Sequence, residues 1–160
     1  MMSSNWTDRR LFLNMGVTIV AGAMASRGLA APATVPIIVH RDAACGCCGA
    51  WVDHLRASSV FVPSVRIQRD MGAVKTFLGV PAALGSCHTA QVAGYVIEGH
   101  VPAKDILKLI RTRPAGVAGL AVPGMPAGSP GMEVPGRFDP YNVLAFRRGG
   151  ETSVFAQYSS

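Results

Sequence analysis

VPIIVHRDAACGCCGAWVDHL, residues 35–55, places three of the chain's four cysteines between two segments of different periodicity. Residues 35–40 are rich in β-branched side chains and predict a short buried strand. Trp51, Val52 and Leu55 recur at helical spacing, so a helix is expected to begin within or just after the cysteines. The sulfurs then lie at a strand-to-helix turn, where free backbone N–H groups and the positive end of the helix dipole stabilise thiolates.

The three clustered cysteines are too close together to be ordinary disulfide partners. Bridging Cys47 to Cys48 closes a strained ring, and bridging Cys45 to Cys47 is little better, so Cys45–Cys48 is the one comfortable local disulfide. The fourth cysteine, Cys87, is followed directly by His88. One or two thiols therefore remain to bind a metal or to react.

Downstream, the pattern of apolar residues predicts an open α/β sheet with flanking helices. Residues 60–67 form a second predicted strand, which Pro63 pushes to a sheet edge. A long loop at 114–140 holds six of the eleven prolines, and we expect it to lie across the cysteines, since long loops are often functional. The remaining predicted elements are a short helix at 73–78, a strand at 91–98 that turns at 99–100, a helix at 101–110, and a β-hairpin of 141–146 and 152–157.

Residues 1–30 have the pattern of a cleaved export signal, which leaves a single domain at 31–160. Arg9 and Arg10, followed closely by Phe12-Leu13, resemble the twin-arginine signal, and an ordinary secretory signal is the alternative. The apolar run within residues 1–30 is too short to remain as a membrane anchor. We expect a periplasmic protein.

Composition narrows the function classes. With 49% hydrophobic and 15% charged residues, the chain is expected to fold around a core. Removing residues 1–30 takes away three arginines and one aspartate, so the formal net charge falls from +6 to +4. No basic run suggests a nucleic-acid partner. No Ser/His/Asp arrangement, carboxylate pair or phosphate-binding glycine loop stands out, which argues against hydrolases and nucleotide-dependent enzymes.

The clustered thiols instead indicate a metal site. Soft sulfur ligands favour Cu(I), zinc and iron–sulfur clusters. The spacing does not separate the donors into the two pairs usual for structural zinc, and it lacks the ferredoxin spacings. Copper tolerates bridging thiolates and low coordination numbers, so it suits the crowded sulfurs better and is the predicted metal, with Cu(I) favoured. An iron–sulfur site is the open alternative. The candidate ligands are Cys45, Cys47, Cys48, Cys87, His88, His100, Met125 and Met132.

Several of these residues also have ordinary structural interpretations. Met125 and Met132 lie in the long loop, where methionines fill gaps in a core as readily as they bind a metal. His100 precedes a predicted helix and is a candidate cap as well as a ligand. His40 and His54 are interpreted as structural.

Two alternative functions rest on the same cysteines. The pair Cys45-x-x-Cys48 lies after a strand and before a helix, and in this it resembles the redox motif of the thioredoxin-like fold. The first alternative is therefore a thiol–disulfide oxidoreductase. Cys47 complicates that alternative, because a neighbouring thiol invites unwanted pairings. A structural zinc or disulfide domain is the third interpretation, and it predicts that metal removal or reduction unfolds the protein.

The whole set of motifs resembles the family known as domain of unknown function 411 (DUF411), which includes the periplasmic CopG-type copper-resistance proteins. The resemblance covers about residues 36–146, nearly the whole predicted mature chain. The motifs that carry it are CGCCG at 45–49, WVDHL at 51–55, GVP at 79–81, SCHTA at 86–90, GYVIEGHVPA at 94–103, GLAVPGMP at 119–126 and GSPGME at 128–133.

The resemblance implies a thioredoxin-like fold with a cysteine-bridged copper site that handles copper in the periplasm and cycles it between oxidation states. By position it implies Cys45, Cys47, Cys48 and Cys87 as thiolate ligands, with histidine and methionine completing the site. Copper ions, and periplasmic copper-handling or electron-transfer proteins, are the partners that it implies.

Overall fold

The computed structural model describes residues 34–159, and the predicted export signal at 1–30 lies outside this range. Residues 34–159 form one compact unit with seven strands and three α-helices. The strands are β1 Val35–Arg41, β2 Phe61–Ile67, β3 His88–Val92, β4 Tyr95–Glu98, β5 Gly119–Ala121, β6 Tyr141–Phe146 and β7 Thr152–Tyr158. The helices are α1 Gly46–Ala57, α2 Met71–Phe77 and α3 Ala103–Thr112, and a 3₁₀ turn spans Ala82–Leu84.

The strands form one mixed sheet in the order β2-β1-β3-β4-β5-β6-β7. β1 pairs with β2, and β4 with β5, in parallel, whereas the other neighbours are antiparallel. The predicted α/β sheet with flanking helices is confirmed. The arrangement of β1 to β4 is also compatible with a thioredoxin-like topology.

The core lies between the sheet and helices α1 and α3. Trp51 is fully buried and donates its indole N–H to the carbonyl of Val101 at 2.9 Å, so it ties α1 to the segment before α3. Leu55 of α1 and Ile106 and Leu109 of α3 pack into the same cluster. In both helices, the apolar residues that recur at helical spacing are therefore the ones that face the core.

Most predicted elements are confirmed, including the edge position of β2, the short helix α2 and the C-terminal hairpin β6–β7. The single strand predicted at 91–98 is wrong. Ala93 and Gly94 have φ values of 48° and 85°, which make a two-residue hairpin turn between β3 and β4. The alternating apolar residues on both sides of that turn read as one continuous strand in the sequence.

The prediction that residues 114–140 lack secondary structure is also wrong. The three residues of β5 enter the sheet between β4 and β6. Such a short strand carries too few residues for a period to be recognised. Among the described helices, none has the length and apolar character needed to cross a membrane.

Candidate metal centre

Two segments carry the cysteines to the same end of the neighbouring strands β1 and β3. Cys45 is the N-cap of α1, with Cys47 and Cys48 in the first turn, and we call these three the α1 cysteines. Cys87 ends a turn of residues 85–87, the Cys87 turn, immediately before β3. Because β1 and β3 are antiparallel neighbours, with Arg41 opposite His88, the end of β1 and the start of β3 meet. The sheet thus brings together cysteines 40 residues apart.

The four sulfurs form one cluster. Cys45 and Cys48 are joined in a disulfide with their Cα atoms 5.5 Å apart, which is the one local pairing that the sequence spacing permits comfortably. Cys47 and Cys87 are free thiols. The Sγ atom of Cys47 lies 3.6 Å from that of Cys45 and 3.9 Å from that of Cys87. All four sulfurs lie within 4.8 Å of one another.

Cys87 also belongs to a second donor group, with His88 and His100. Its Sγ lies 3.1 Å from Nε2 of His100 and 3.3 Å from Nδ1 of His88. These donor atoms also lie within 4.8 Å of one another. Cys87 therefore joins an all-sulfur group to a mixed sulfur and nitrogen group.

The orientation of His100 is fixed by the long loop. Nδ1 of His100 lies 2.8 Å from the carbonyl oxygen of Pro130, so this nitrogen carries the proton and donates it. In the neutral ring Nε2 then has a free lone pair directed towards Cys87. A backbone carbonyl that holds one ring nitrogen while the other is free for a ligand is typical of histidines that bind metals. His100 therefore does not cap α3, which was the alternative interpretation.

His88 is the other fully buried ring of the site. It packs against Trp51, with the ring centroids 4.3 Å apart. Burial, followed by the charges that His100 and Lys75 would carry, lowers the pKa of His88 well below its usual value. Burial also lowers the pKa of His100. Both rings are thus held neutral, which is the form that binds metals.

The Cys87 thiol is not preformed as a thiolate. Burial and the neighbouring Cys47 raise the pKa of Cys87 to about 11. In the metal-free protein Cys87 is therefore protonated at neutral pH, and a metal that binds it must displace the proton.

Two polar atoms beside the cluster lack partners. Within residues 34–159, Nε of Arg41 and Nε2 of His88 are the buried side-chain nitrogens or oxygens without a hydrogen bond. Such atoms are rare in folded proteins and call for an explanation. The Nη1 of Arg41 donates to the carbonyl of Cys45 at 2.5 Å, so a positive charge lies next to the α1 cysteines. Arg41 gives no signal in the sequence, because nothing in the strand pattern distinguishes it.

The long loop packs on the site, as predicted. Gly131 has a φ of 82°, and a Cβ atom added there would lie 2.6 Å from the backbone nitrogen of Trp51 and 3.1 Å from the carbonyl oxygen of Cys47. Only glycine permits this close approach of the loop to α1. Together with the bond from His100 to Pro130, this contact places the loop against both the His100 ring and the backbone of α1.

Both predicted methionine ligands lie in this loop. Met132 is half-buried and directly follows Gly131. Met125 is 53% exposed, and it follows Gly124, whose carbonyl accepts a hydrogen bond from the Ser86 hydroxyl at 2.5 Å. Both methionines are thus direct neighbours of a glycine that contacts the site. Their role as ligands stays a prediction.

The two remaining histidines have structural partners. Nε2 of His54 accepts a hydrogen bond from the backbone nitrogen of Ala103, at the start of α3, at 3.1 Å. His40 is held between Gln91 and Gln68, at 3.1 and 3.0 Å. Neither belongs to the two donor groups.

The donor set suits a soft metal. Four sulfurs and two neutral imidazoles match the preferences of Cu(I) and, for part of the set, of zinc. The fold and this site together define a mixed α/β protein with a cysteine- and histidine-lined candidate metal centre.

Comparisons with known proteins agree with this class. A family model described as "Protein of unknown function, DUF411" matches residues 84–132. Two solved structures, described as copper resistance protein copG in Form 2 and Form 1, are 52% and 51% identical to this chain. Each comparison covers 79% of this chain and 99% of the other, with a TM-score of 0.74. No curated protein matches the chain. The chain belongs to the DUF411 family of CopG-type copper-resistance proteins.

Proposed function

We propose that this chain is a periplasmic copper-binding protein of copper resistance, with a multinuclear cysteine-rich site that favours Cu(I). The observation that carries the proposal is the position of Cys87, which belongs both to the four-sulfur group and to the group with His88 and His100. A thiolate shared in this way suits copper, which accepts bridging sulfur ligands and low coordination numbers.

In this proposal the four cysteines and the two histidines bind copper, and Met125 and Met132 complete the ligand set. Copper supplies a soft cation that can exchange one electron. The chain orients the ligands, since Pro130 holds the His100 ring, and it limits access of water, since Gly131 packs on α1. The copper-resistance description of the two similar structures supports the choice of copper over zinc.

Copper loading requires a change in the state of the cysteines. Thiolates are the ligands for copper, and the Cys45–Cys48 disulfide occupies two of the four sulfurs. A dithiol reductant must therefore convert this disulfide into two thiols, and become oxidised itself, before the full ligand set exists.

The cellular part of the proposal rests on residues 1–30. We propose that they direct export, by the twin-arginine route, and that periplasmic copper-handling or electron-transfer proteins exchange copper or electrons with the site. Fusion of residues 1–30 to a reporter that is active only in the periplasm tests the export step, and replacement of Arg9 and Arg10 by lysine tests the route.

The ligand proposal is tested by copper loading of Cys47→Ser. Cys47 contacts both Cys45 and Cys87, so its loss is expected to lower the number of copper ions per chain, measured by elemental analysis of anaerobic, reduced protein. Cys47→Ser that binds as much copper as the wild type contradicts a shared cluster. Parallel loading with zinc shows whether copper is selected.

One observation favours a second function. The Cys45–Cys48 disulfide at the N-terminus of α1 has the position of a redox-active pair, so the protein alternatively exchanges disulfides. Insulin reduction by metal-free Cys87→Ser distinguishes the two proposals. Activity equal to that of the wild type favours disulfide exchange, whereas a lack of activity in both proteins favours the copper proposal.

A further inference from the structure

Glu98 is a buried carboxylate that no part of the proposed copper site uses. It is fully buried at the end of β4, and three donors converge on it. Its Oε1 accepts from Nζ of Lys75 at 2.5 Å and from the backbone nitrogen of Ser86 at 2.6 Å, and its Oε2 accepts from the Thr89 hydroxyl at 2.7 Å. These donors come from α2, the Cys87 turn and β3.

The bond to Ser86 is what links Glu98 to the cysteines. Ser86 precedes Cys87 in a turn that lies outside any helix or strand, so few regular backbone bonds hold this residue. Gly99 packs closely against Ser86, since a Cβ atom on Gly99 would lie 2.6 Å from the Ser86 Cβ. The carboxylate and Gly99 thus hold the Cys87 turn against β4.

Stability alone does not account for a buried ion pair at this position. The side chains of Lys75 and Glu98 are 18% and 0% exposed, and the cost of removing such charges from water offsets much of their attraction. Apolar side chains of similar size often replace buried pairs without loss of stability. An apolar pair, however, cannot accept the hydrogen bond of Ser86.

We propose that Glu98 is a positioning residue for Cys87: by accepting the Ser86 backbone N–H, it holds the Cys87 sulfur where both donor groups share it. Lys75 donates to the same oxygen, Oε1, and so helps to hold the carboxylate in place. This inference rests on the proposed copper function for its purpose, but the positioning itself is a property of the metal-free protein.

Two double variants separate positioning from stability. Lys75→Met/Glu98→Gln removes both charges and keeps an amide oxygen that can accept from Ser86. Lys75→Met/Glu98→Leu removes both charges and the acceptor. The readout is the rate at which iodoacetamide alkylates Cys87 in metal-free protein with the Cys45–Cys48 disulfide intact, measured by mass spectrometry. Alkylation of Cys47 is the internal control.

We expect Cys87 to react about tenfold faster in the leucine variant than in the wild type, and near the wild-type rate in the glutamine variant. Copper affinity of the reduced proteins is expected to follow the same order. Equal Cys87 rates in the two folded variants, whether raised or unchanged, overturn the proposal, because they show that the acceptor at position 98 has no part in positioning.

Asp105→Leu is the matched control, because it also removes a buried acceptor. Asp105 is also a buried carboxyl with a strong hydrogen bond, from the Tyr158 hydroxyl at 2.5 Å, but its partner lies in β7. We expect this variant to lower stability and to leave the Cys87 rate unchanged. A comparable rise in the Cys87 rate here means that the effect is general loosening, and it contradicts the proposal.

A measurement on the wild type keeps the test decisive if the leucine variant does not fold. The Ser86 amide proton, bonded to a buried carboxylate, is expected to exchange with deuterium as slowly as the amides of β3, and exchange at the rate of an exposed turn overturns the proposal. A wild-type protein that binds no copper contradicts the proposed function instead, and leaves these metal-free readouts to decide the role of Glu98.

Discussion

The α1 cysteines and the Cys87 turn supply the two sides of one site, yet different forces hold them. The α1 cysteines sit in the first turn of a helix whose buried face, Trp51 to Leu55, packs into the core. The Cys87 turn has no regular structure and depends on contacts from elsewhere. These are the Glu98 carboxylate, which Lys75 also contacts, and the backbone carbonyl of the loop residue Gly124. One half of the site is thus held by a helix that packs into the core, and the other half by individual contacts to an irregular segment.

The two halves of the site should respond differently to amino-acid substitutions. A substitution in α1 should affect the site mainly when it changes a cysteine, because the helix stays folded while its apolar face packs on the core. The Cys87 turn, in contrast, is sensitive to residues far away in sequence. The predictions below test this contrast from both sides.

The largest effect is expected from Cys87→Ser. Because Cys87 is the member common to both donor groups, its loss removes a ligand from each. Cu(I) affinity should therefore fall by more than about 100-fold, which exceeds the loss typical of residues that only hold a ligand in place. Competition with a chromophoric Cu(I) chelator measures this. Ser153→Ala, at an exposed position of β7 outside both donor groups, is the control and should bind copper nearly as the wild type does. Equal affinities for the wild type and Cys87→Ser contradict the shared role.

A smaller effect is expected at the contact between the long loop and α1. Gly131→Ala should lower the free energy of unfolding by roughly 2 kcal/mol, because the new methyl group meets the α1 backbone and the φ of 82° suits only glycine. Copper should also dissociate faster, since the loop no longer covers the cluster. Urea unfolding and chelator-capture kinetics measure the two effects.

Gly136→Ala is the matched control for that prediction. Gly136 lies in the same loop with a φ of 74°, but a Cβ atom there meets nothing within 4 Å. It should cost about 1 kcal/mol of backbone strain and leave copper release unchanged. If both variants behave alike, the contact between Gly131 and α1 has no role in covering the site.

The smallest effect concerns His54, which joins α1 to α3. His54→Ala should cost about 1 kcal/mol through loss of the bond to the Ala103 nitrogen, and His54→Gln, which keeps an acceptor, should cost less. Urea unfolding at pH 7 measures both. Copper affinity should not change in either variant, which separates this contact from the site.

His54 also predicts a pH dependence. Burial lowers the pKa of His54 below 6.5, so the unfolded chain binds a proton more readily than the folded protein. The stability that neutral His54 contributes is present above pH 6.5 and is lost as the pH falls through the lowered pKa. The wild type should therefore lose more stability than His54→Gln between pH 7 and pH 5. An identical pH dependence of the two proteins contradicts this assignment.

The sequence predicted the α1 half of the site better than the other half. Strand β1, the helix after it and the Cys45–Cys48 pairing follow from local spacing, because neighbouring residues determine them. The hairpin at Ala93-Gly94 and the three-residue strand β5 were missed, because their pattern is short or continuous with its surroundings.

The contacts around Cys87 could not be predicted in the same way. Cys87, His88 and His100 were candidates because of their residue types, but their meeting depends on the pairing of β1, β3 and β4. Glu98, Lys75 and Arg41 gave no local signal at all. A charged residue at a strand end or in a short helix is ordinary in a sequence, and only the contacts in the fold show its partners.

The most direct test of the account is copper and thiol counting on the wild-type chain, reduced, loaded with Cu(I) and kept anaerobic. Elemental analysis gives the copper ions per chain, and alkylation followed by mass spectrometry gives the accessible thiols. We predict more than one copper ion per chain and protection of all four cysteines. Absence of bound copper, with all four cysteines alkylated freely, would contradict a cysteine-rich copper site.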